Sequence, residues 1–136
     1  EKGYRLWGQD VYTEYTPYES GLGWTVKLKK GEFIGRDACV KAKGKGLKKK
    51  LCCLTMDAPD AAAFGYEPIF SNGDCIGHVT TGNYGYTVGK YIIYGYLPVE
   101  YAKPGTPLQI EYFNERFDAT VAQEPLYDPK MLVMKG

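Results

Sequence analysis

Histidine occurs once in this chain of 136 residues, as His78, and no nucleophile or metal-ligating partner stands near it in the sequence. A lone imidazole without a partner reads as a strand residue, and no Ser/His/Asp arrangement can be assembled around it. Cysteine is also scarce. Cys39, Cys52, Cys53 and Cys75 contain no CxxC pair, which argues against a zinc site. They read as reduced structural thiols, as expected in the cytoplasm or mitochondrial matrix. Net charge is nearly absent, 17 Lys and Arg against 16 Asp and Glu. There is thus no global field to draw in nucleic acid or an acidic membrane. No apolar run approaches the length of a bilayer-crossing helix, and no targeting segment or GxGxxG fingerprint is visible. Neither nucleic acid nor membrane is expected as a partner, and the length suits a single core of moderate size.

Tyrosine and glycine are plentiful, with 13 and 17 copies. Beside few helix-favouring runs, they point to a β-rich chain. From Leu47 onward the pattern is one strand after another. Residues 51–56 are apolar and bounded by Asp57-Ala58-Pro59. Residues 68–70 and 75–80 flank Ser71-Asn72-Gly73-Asp74, and Asn-Gly between apolar segments is a strong hairpin signal because both residues tolerate positive φ. Residues 91–97 end at Pro98, a Lys-Pro-Gly-Thr turn leads into 108–112, and Asn114-Glu115 turns the chain into 117–122. Six short strands without an intervening helix must close or stack to protect their edges, and a small antiparallel barrel is the expected outcome. Cys52 and Cys53, adjacent on a strand, should face opposite sides of it.

Residues 1–46 have a different character. Thr16-Pro17-Tyr18-Glu19 carries an N-cap residue, Pro at the first helical position and an acidic first turn, so a short helix is expected there. Residues 21–28 alternate like a strand, and residues 35–43 read as a helix stopped by Gly44 and Gly46. Phe33 and Ile34 read as core. The fold class expected is mainly β: a short α/β N-terminal segment followed by a small six-stranded antiparallel β-barrel.

Five ordered stretches carry a resemblance: EKGYRLWGQD, TPYESGLGWTVKLKKGEFIGRDA, GHVTTGNYGYTVGKYIIYGYLP, the AKPGT turn and the EPLYDP ending. Together they resemble the C-terminal part of the folate-dependent aminomethyltransferase family, the T-proteins of glycine cleavage. WGQD, KKGEFIGRD and YDP look closer to the branch of dimethylglycine and sarcosine dehydrogenases. That branch also includes a non-catalytic regulatory subunit of pyruvate dehydrogenase phosphatase. The resemblance implies that the chain is part of a longer protein. Residues 1–46 would end a folate-binding middle domain, and residues 47–136 would form the C-terminal barrel. The implied cofactor is tetrahydrofolate, with FAD in an upstream domain for the dehydrogenase branch. The implied partners are those upstream domains, and the face that docks on them could drive self-association of the isolated chain. The family's catalytic Asp lies upstream of Glu1, so no catalytic residue and no metal site are expected here.

Three residues are implied as cofactor contacts. Glu1 matches a carboxylate that accepts hydrogen bonds from the pterin ring, a sensible pairing for two acceptor oxygens and an aminopyrimidinone edge. Lys30 stands where some members carry Arg near the glutamate moiety of folate, and Arg36 is the alternative for that role. GHVTTG matches the family's Gly-x-Val-Thr-Ser-Gly strand, with Thr81 for the common Ser and Gly85-Tyr86 for the usual Ser-Pro. These departures weaken the expectation of ligand contacts from this stretch. Residues 41–50 hold six Lys in ten without interleaved aromatics. They read as a solvated linker, with attraction of a polyglutamate tail as the alternative. The tyrosines at 84, 86, 91, 94 and 96 divide between core packing and an interdomain or oligomer surface. The reading is therefore a piece of a one-carbon transfer module. A regulatory module of the same family and a T-protein proper remain the alternatives.

Overall fold

A computed structural model describes residues 1–57 and 63–136. Six strands form a closed antiparallel barrel: β1 (Lys49–Met56), β2 (Pro68–Ser71), β3 (Asp74–Gly85), β4 (Lys90–Pro98), β5 (Pro107–Tyr112) and β6 (Glu115–Val121). Around the barrel the order is β1-β4-β3-β2-β5-β6, with β6 returning to β1. Hairpins join β2 to β3, β3 to β4, and β5 to β6. The first strand lies beside the fourth, as in a Greek key.

The turn chemistry explains two of the hairpins. Asn72 and Gly73 sit at φ 51° and 92°, the left-handed pair that a two-residue turn of this hand requires. Phe113 and Asn114, at φ 49° and 63°, make the β5–β6 turn, one residue earlier than the expected Asn114-Glu115. The stop expected at Asp57-Ala58-Pro59 falls partly outside the described residues.

Leu54, Met56, Ile69, Val79, Ile93, Leu97, Leu108 and Ile110 fill the barrel. Leu51, Cys53, Ile92, Tyr94 and Tyr96 are buried on its outer side, under Tyr15, Val88, Ala122 and Leu126. The arms before and after the barrel thus cover β1 and β4, and these strands read as continuous apolar runs because both of their faces are enclosed. Cys52 joins the inner cluster and Cys53 the outer one. Burial pushes both thiols up to about 11, so they stay protonated near neutral pH.

The N-terminal arm departs from several expectations. Thr16 and Glu19 do form a reciprocal cap: Glu19 Oε2 accepts from Thr16 N (2.9 Å), and Thr16 Oγ1 accepts from Glu19 N (3.2 Å). The expected short helix does not form: residues 17–21 make only hydrogen-bonded turns, which end as Gly21 enters the left-handed region at φ 71°. Residues 21–28 form no strand. Gly23–Thr25 is a short 3-10 turn and Trp24 is exposed. The barrel closes on its own six strands, leaving no sheet edge for this segment to join. Helix α1 (Arg36–Lys45) forms, but it runs through Gly44 and ends only at Gly46. Ile34, expected in the core, is fully exposed, and Phe33 is half-buried. A short C-terminal turn, α2 (Leu132–Lys135), ends the chain. Among the described residues no helix is long and apolar enough to cross a membrane.

Tyr96 ties the arm to the barrel. Its ring stacks on Tyr15 at 3.6 Å, and its hydroxyl donates to the Asp10 carbonyl (2.8 Å) and meets Ser20 Oγ (2.8 Å). Burial pushes this phenol up to about 12. Tyr96→Phe keeps the ring and leaves a buried carbonyl unpaired. The expected loss is about 1–3 kcal/mol, measured as a lower urea midpoint at unchanged slope.

Candidate functional site: a cleft between the N-terminal arm and the third strand

Residues 1–10 run alongside β3 and enclose a cleft of about 350 Å³ against it. Tyr4, Leu6, Gln9 and Asp10 line one wall, Thr81 to Gly85 line the other, and Glu1, Phe64, Ile92 and Tyr94 complete it. The volume lies at the small end of ligand sites, which run from about 300 to 1,000 Å³. Among the described residues two carboxylates, Glu1 and Asp10, line the cleft, and no Lys, Arg or His does. Its chemistry therefore favours a flat ligand carrying hydrogen-bond donors or positive charge.

Glu1 is held from two directions. Its Oε1 accepts from the backbone N–H groups of Thr87 (2.7 Å) and Val88 (3.1 Å), in the turn between β3 and β4. Val88 first, with Thr87, holds the Glu1 carboxyl below the usual carboxylate range, against the desolvation that would raise it. Its carbonyl accepts from Tyr127 N (3.1 Å). The next residue, Lys2, pairs with Asp128 at 2.8 Å. Arg5 pairs with Glu124, donates to the Gly3 carbonyl (2.6 Å) and lies over the Tyr94 ring at 5.0 Å. The ends of the chain thus clasp one another beside the cleft.

The glycines of GHVTTG owe their places to close backbone approach. A Cβ on Gly77 would collide with the Tyr96 carbonyl, and one on Gly82 with the Ala63 carbonyl. Gly85, the departure from the family pattern, is buried beside Glu1, whose Cγ would lie 3.2 Å from an added Cβ. Thr81, the other departure, donates to Asp10 Oδ1 at 2.7 Å. Both changes therefore fall on the cleft wall.

The structure does not bring the other two expected contacts to this cleft. Lys30 is exposed, with its Nζ 4.7 Å over the Phe33 ring. Arg36 donates to the Leu28 carbonyl (3.2 Å) and sits near Glu32 and Asp37. Neither lines the cleft. His78 lies half-buried on β3, its ring parallel to Tyr66 at 6.2 Å. Tyr94 and Tyr96 are core residues, and Tyr84 and Tyr86 pack edge to face on the surface. Asp10, Arg5 and Glu124 were given no role by sequence reasoning. The only local signal for them is their place inside the WGQD, GYR and EPLYDP stretches.

Residues 49–128 match the family model described as the glycine cleavage T-protein C-terminal barrel domain. Human mitochondrial dimethylglycine dehydrogenase is 38% identical over 127 residues, 93% of this chain and 15% of that protein. Mouse mitochondrial sarcosine dehydrogenase is 38% identical over 149 residues, 100% of this chain and 16% of its own length. An aminomethyltransferase of Rippkaea orientalis is 41% identical over 123 residues, 90% of this chain and 33% of that protein. The glycine cleavage aminomethyltransferase T of Bartonella henselae superposes with a TM-score of 0.86 at 26% identity, across 94% of this chain and 36% of that one. The chain thus spans about a sixth of these dehydrogenases and a third of the aminomethyltransferases. On this barrel and these matches, the chain belongs to the glycine cleavage T-protein family.

Proposed function

We propose that this chain forms one side of a tetrahydrofolate site within a longer one-carbon transfer protein of the dimethylglycine and sarcosine dehydrogenase branch. The observation that carries the reading is the cleft with an anchored Glu1 carboxylate and, among the described residues, no Lys, Arg or His in its lining. A reduced pterin offers ring N–H and amino donors to carboxylate acceptors, and Tyr4, Phe64 and Tyr84 offer flat apolar surface around it. The residues present therefore fit the group. When bound, tetrahydrofolate supplies the nitrogen nucleophile that accepts a one-carbon unit. The contribution of this chain is to hold and orient the ring and to exclude water from one side.

The match to sarcosine dehydrogenase over the whole chain supports the branch, with FAD and the catalytic carboxylate assigned to preceding domains. The domain division at residues 46 and 47 belongs to the same reading. So does placement in the mitochondrial matrix, which follows the relatives named mitochondrial. Tyr4, Leu6, Phe64 and Tyr84 are exposed at the cleft rim, apolar surface suited to docking by those domains. Lys30 is the better proposal for the glutamate carboxylates, since Arg36 is already engaged by a carbonyl and two neighbouring acids.

The test is a titration of the chain with a stable reduced folate, followed through Trp7 and Trp24 fluorescence. Saturable binding that Glu1→Ala weakens at least tenfold is the expected result. No binding at millimolar folate would sink the claim that this segment carries its share of the site.

A further inference from the structure

Asp10 is 2% exposed, yet it forms no ion pair with any of the described residues. A buried carboxylate is tolerated only when hydrogen bonds replace its lost hydration. Here they come from both walls of the cleft. From the arm, Leu6 N donates to Oδ2 at 2.9 Å. From β3, Thr80 Oγ1 and Thr81 Oγ1 both donate to Oδ1, at 2.5 and 2.7 Å.

Two consecutive strand residues ordinarily point to opposite faces. They converge on one oxygen here because the register of β3 against β4 slips between Val79 and Thr81. A bulge of this kind re-aims side chains at the cost of a ladder hydrogen bond, and it is favoured beside functional sites. The backbone of Asp10 is fixed too, through the Tyr96 hydroxyl. Asp10 and Thr81 line the same cleft as Glu1.

We propose that Asp10 is a positioning residue: the hydrogen-bonded joint that sets the spacing between the arm and the bulge of β3, and through the arm the seat of Glu1. The carboxylate accepts from all three donors as they stand, whereas an Asn amide must either face the Leu6 N–H with its own N–H or turn both Thr hydroxyls round into acceptors. The joint itself is independent of the folate reading, and only one arm of its test rests on that reading.

The experiment follows three signals in the parent, Asp10→Asn, Thr81→Val and Thr81→Ser. They are hydrogen exchange at Leu6 and its neighbours, the NMR titration of the Glu1 carboxyl, and the affinity for a reduced folate. Asp10→Asn is expected to speed exchange across residues 1–10 at least tenfold while the amides of β5 and β6 stay protected. It should also move the Glu1 titration up toward the ordinary carboxylate value and weaken folate at least tenfold. Thr81→Val should move the same signals less, and Thr81→Ser should restore them. A folded Asp10→Asn chain with parental exchange and parental Glu1 titration overturns the proposal. Folate bound equally by the parent and by a variant whose exchange and Glu1 titration have moved counts against the folate reading and not against the joint. A parent that binds no folate removes the functional reading alone, and the Glu1 titration still decides on Asp10. Should Asp10→Asn not fold, Thr81→Val and Thr81→Ser decide between the two outcomes.

Discussion

Arg5→Ala is expected to destabilise the chain by about 3 kcal/mol, the lower end of what breaking a buried ion pair costs. Both partners are largely withdrawn from water, with side chains 9% and 26% exposed. Removing the guanidinium leaves the Glu124 carboxylate beneath the arm with nothing to balance it. Its other oxygen, Oε2, is already buried without a hydrogen-bond partner among the described residues. Arg5 also fills the space over Tyr94, so part of the loss is packing. A urea denaturation series separates the two contributions. Arg5→Met keeps most of the stem, and combining it with Glu124→Gln removes both charges together. The double variant should lose clearly less than the sum of the singles, because neither charge is left stranded. A loss below about 1 kcal/mol for Arg5→Ala would place the pair among screened surface bridges. The arm would then be held by Tyr96 and Asp10 instead.

The barrel was legible because its signals are local. Alternating apolar residues and Asn72-Gly73 act over two to eight positions, and all six strands appear where those signals stand. The arm was not, because its conformation is decided by what the barrel leaves available. Residues 21–28 alternate well enough for a strand, but a strand needs an edge, and a closed barrel has none. The Thr16–Glu19 cap formed as its chemistry requires and then met Gly21 in a left-handed conformation. Ile34 shows a further limit: its apolarity says that something should cover it, and pattern alone cannot say whether that is the barrel or another part of a longer protein.

The site was legible only in part. Glu1 came from a motif whose spacing marks a family, and the structure seats its carboxylate at the cleft. The rest of the cleft depends on contacts 70 and 71 positions apart for Asp10 with Thr80 and Thr81, and 119 apart for Arg5 with Glu124. No periodicity connects such residues. The bulge that turns Thr80 and Thr81 onto one oxygen is likewise a property of the β3–β4 register and not of either strand alone.

That dependence on backbone approach yields a second large expected effect, at Gly82. Its φ is not in the left-handed region, so the constraint is space and not conformation. A Cβ would drive into the Ala63 carbonyl and lie 3.4 Å from Tyr91 Cε1, a wall that cannot swing aside like a flexible side chain. Gly82→Ala must therefore push β3 away from that carbonyl. Overpacking of this kind costs about 1–3 kcal/mol, and more when backbone meets backbone. Gly77→Ala meets the same obstacle at the Tyr96 carbonyl but lies outside the cleft lining, which makes it the matched control. Both variants should melt earlier than the parent. Only Gly82→Ala should also raise the Glu1 titration and weaken a reduced folate, because only Gly82 belongs to the wall that faces Glu1. If the two variants lose stability equally and leave Glu1 unmoved, the cleft wall yields without consequence. The close approach at Gly82 would then serve barrel closure alone.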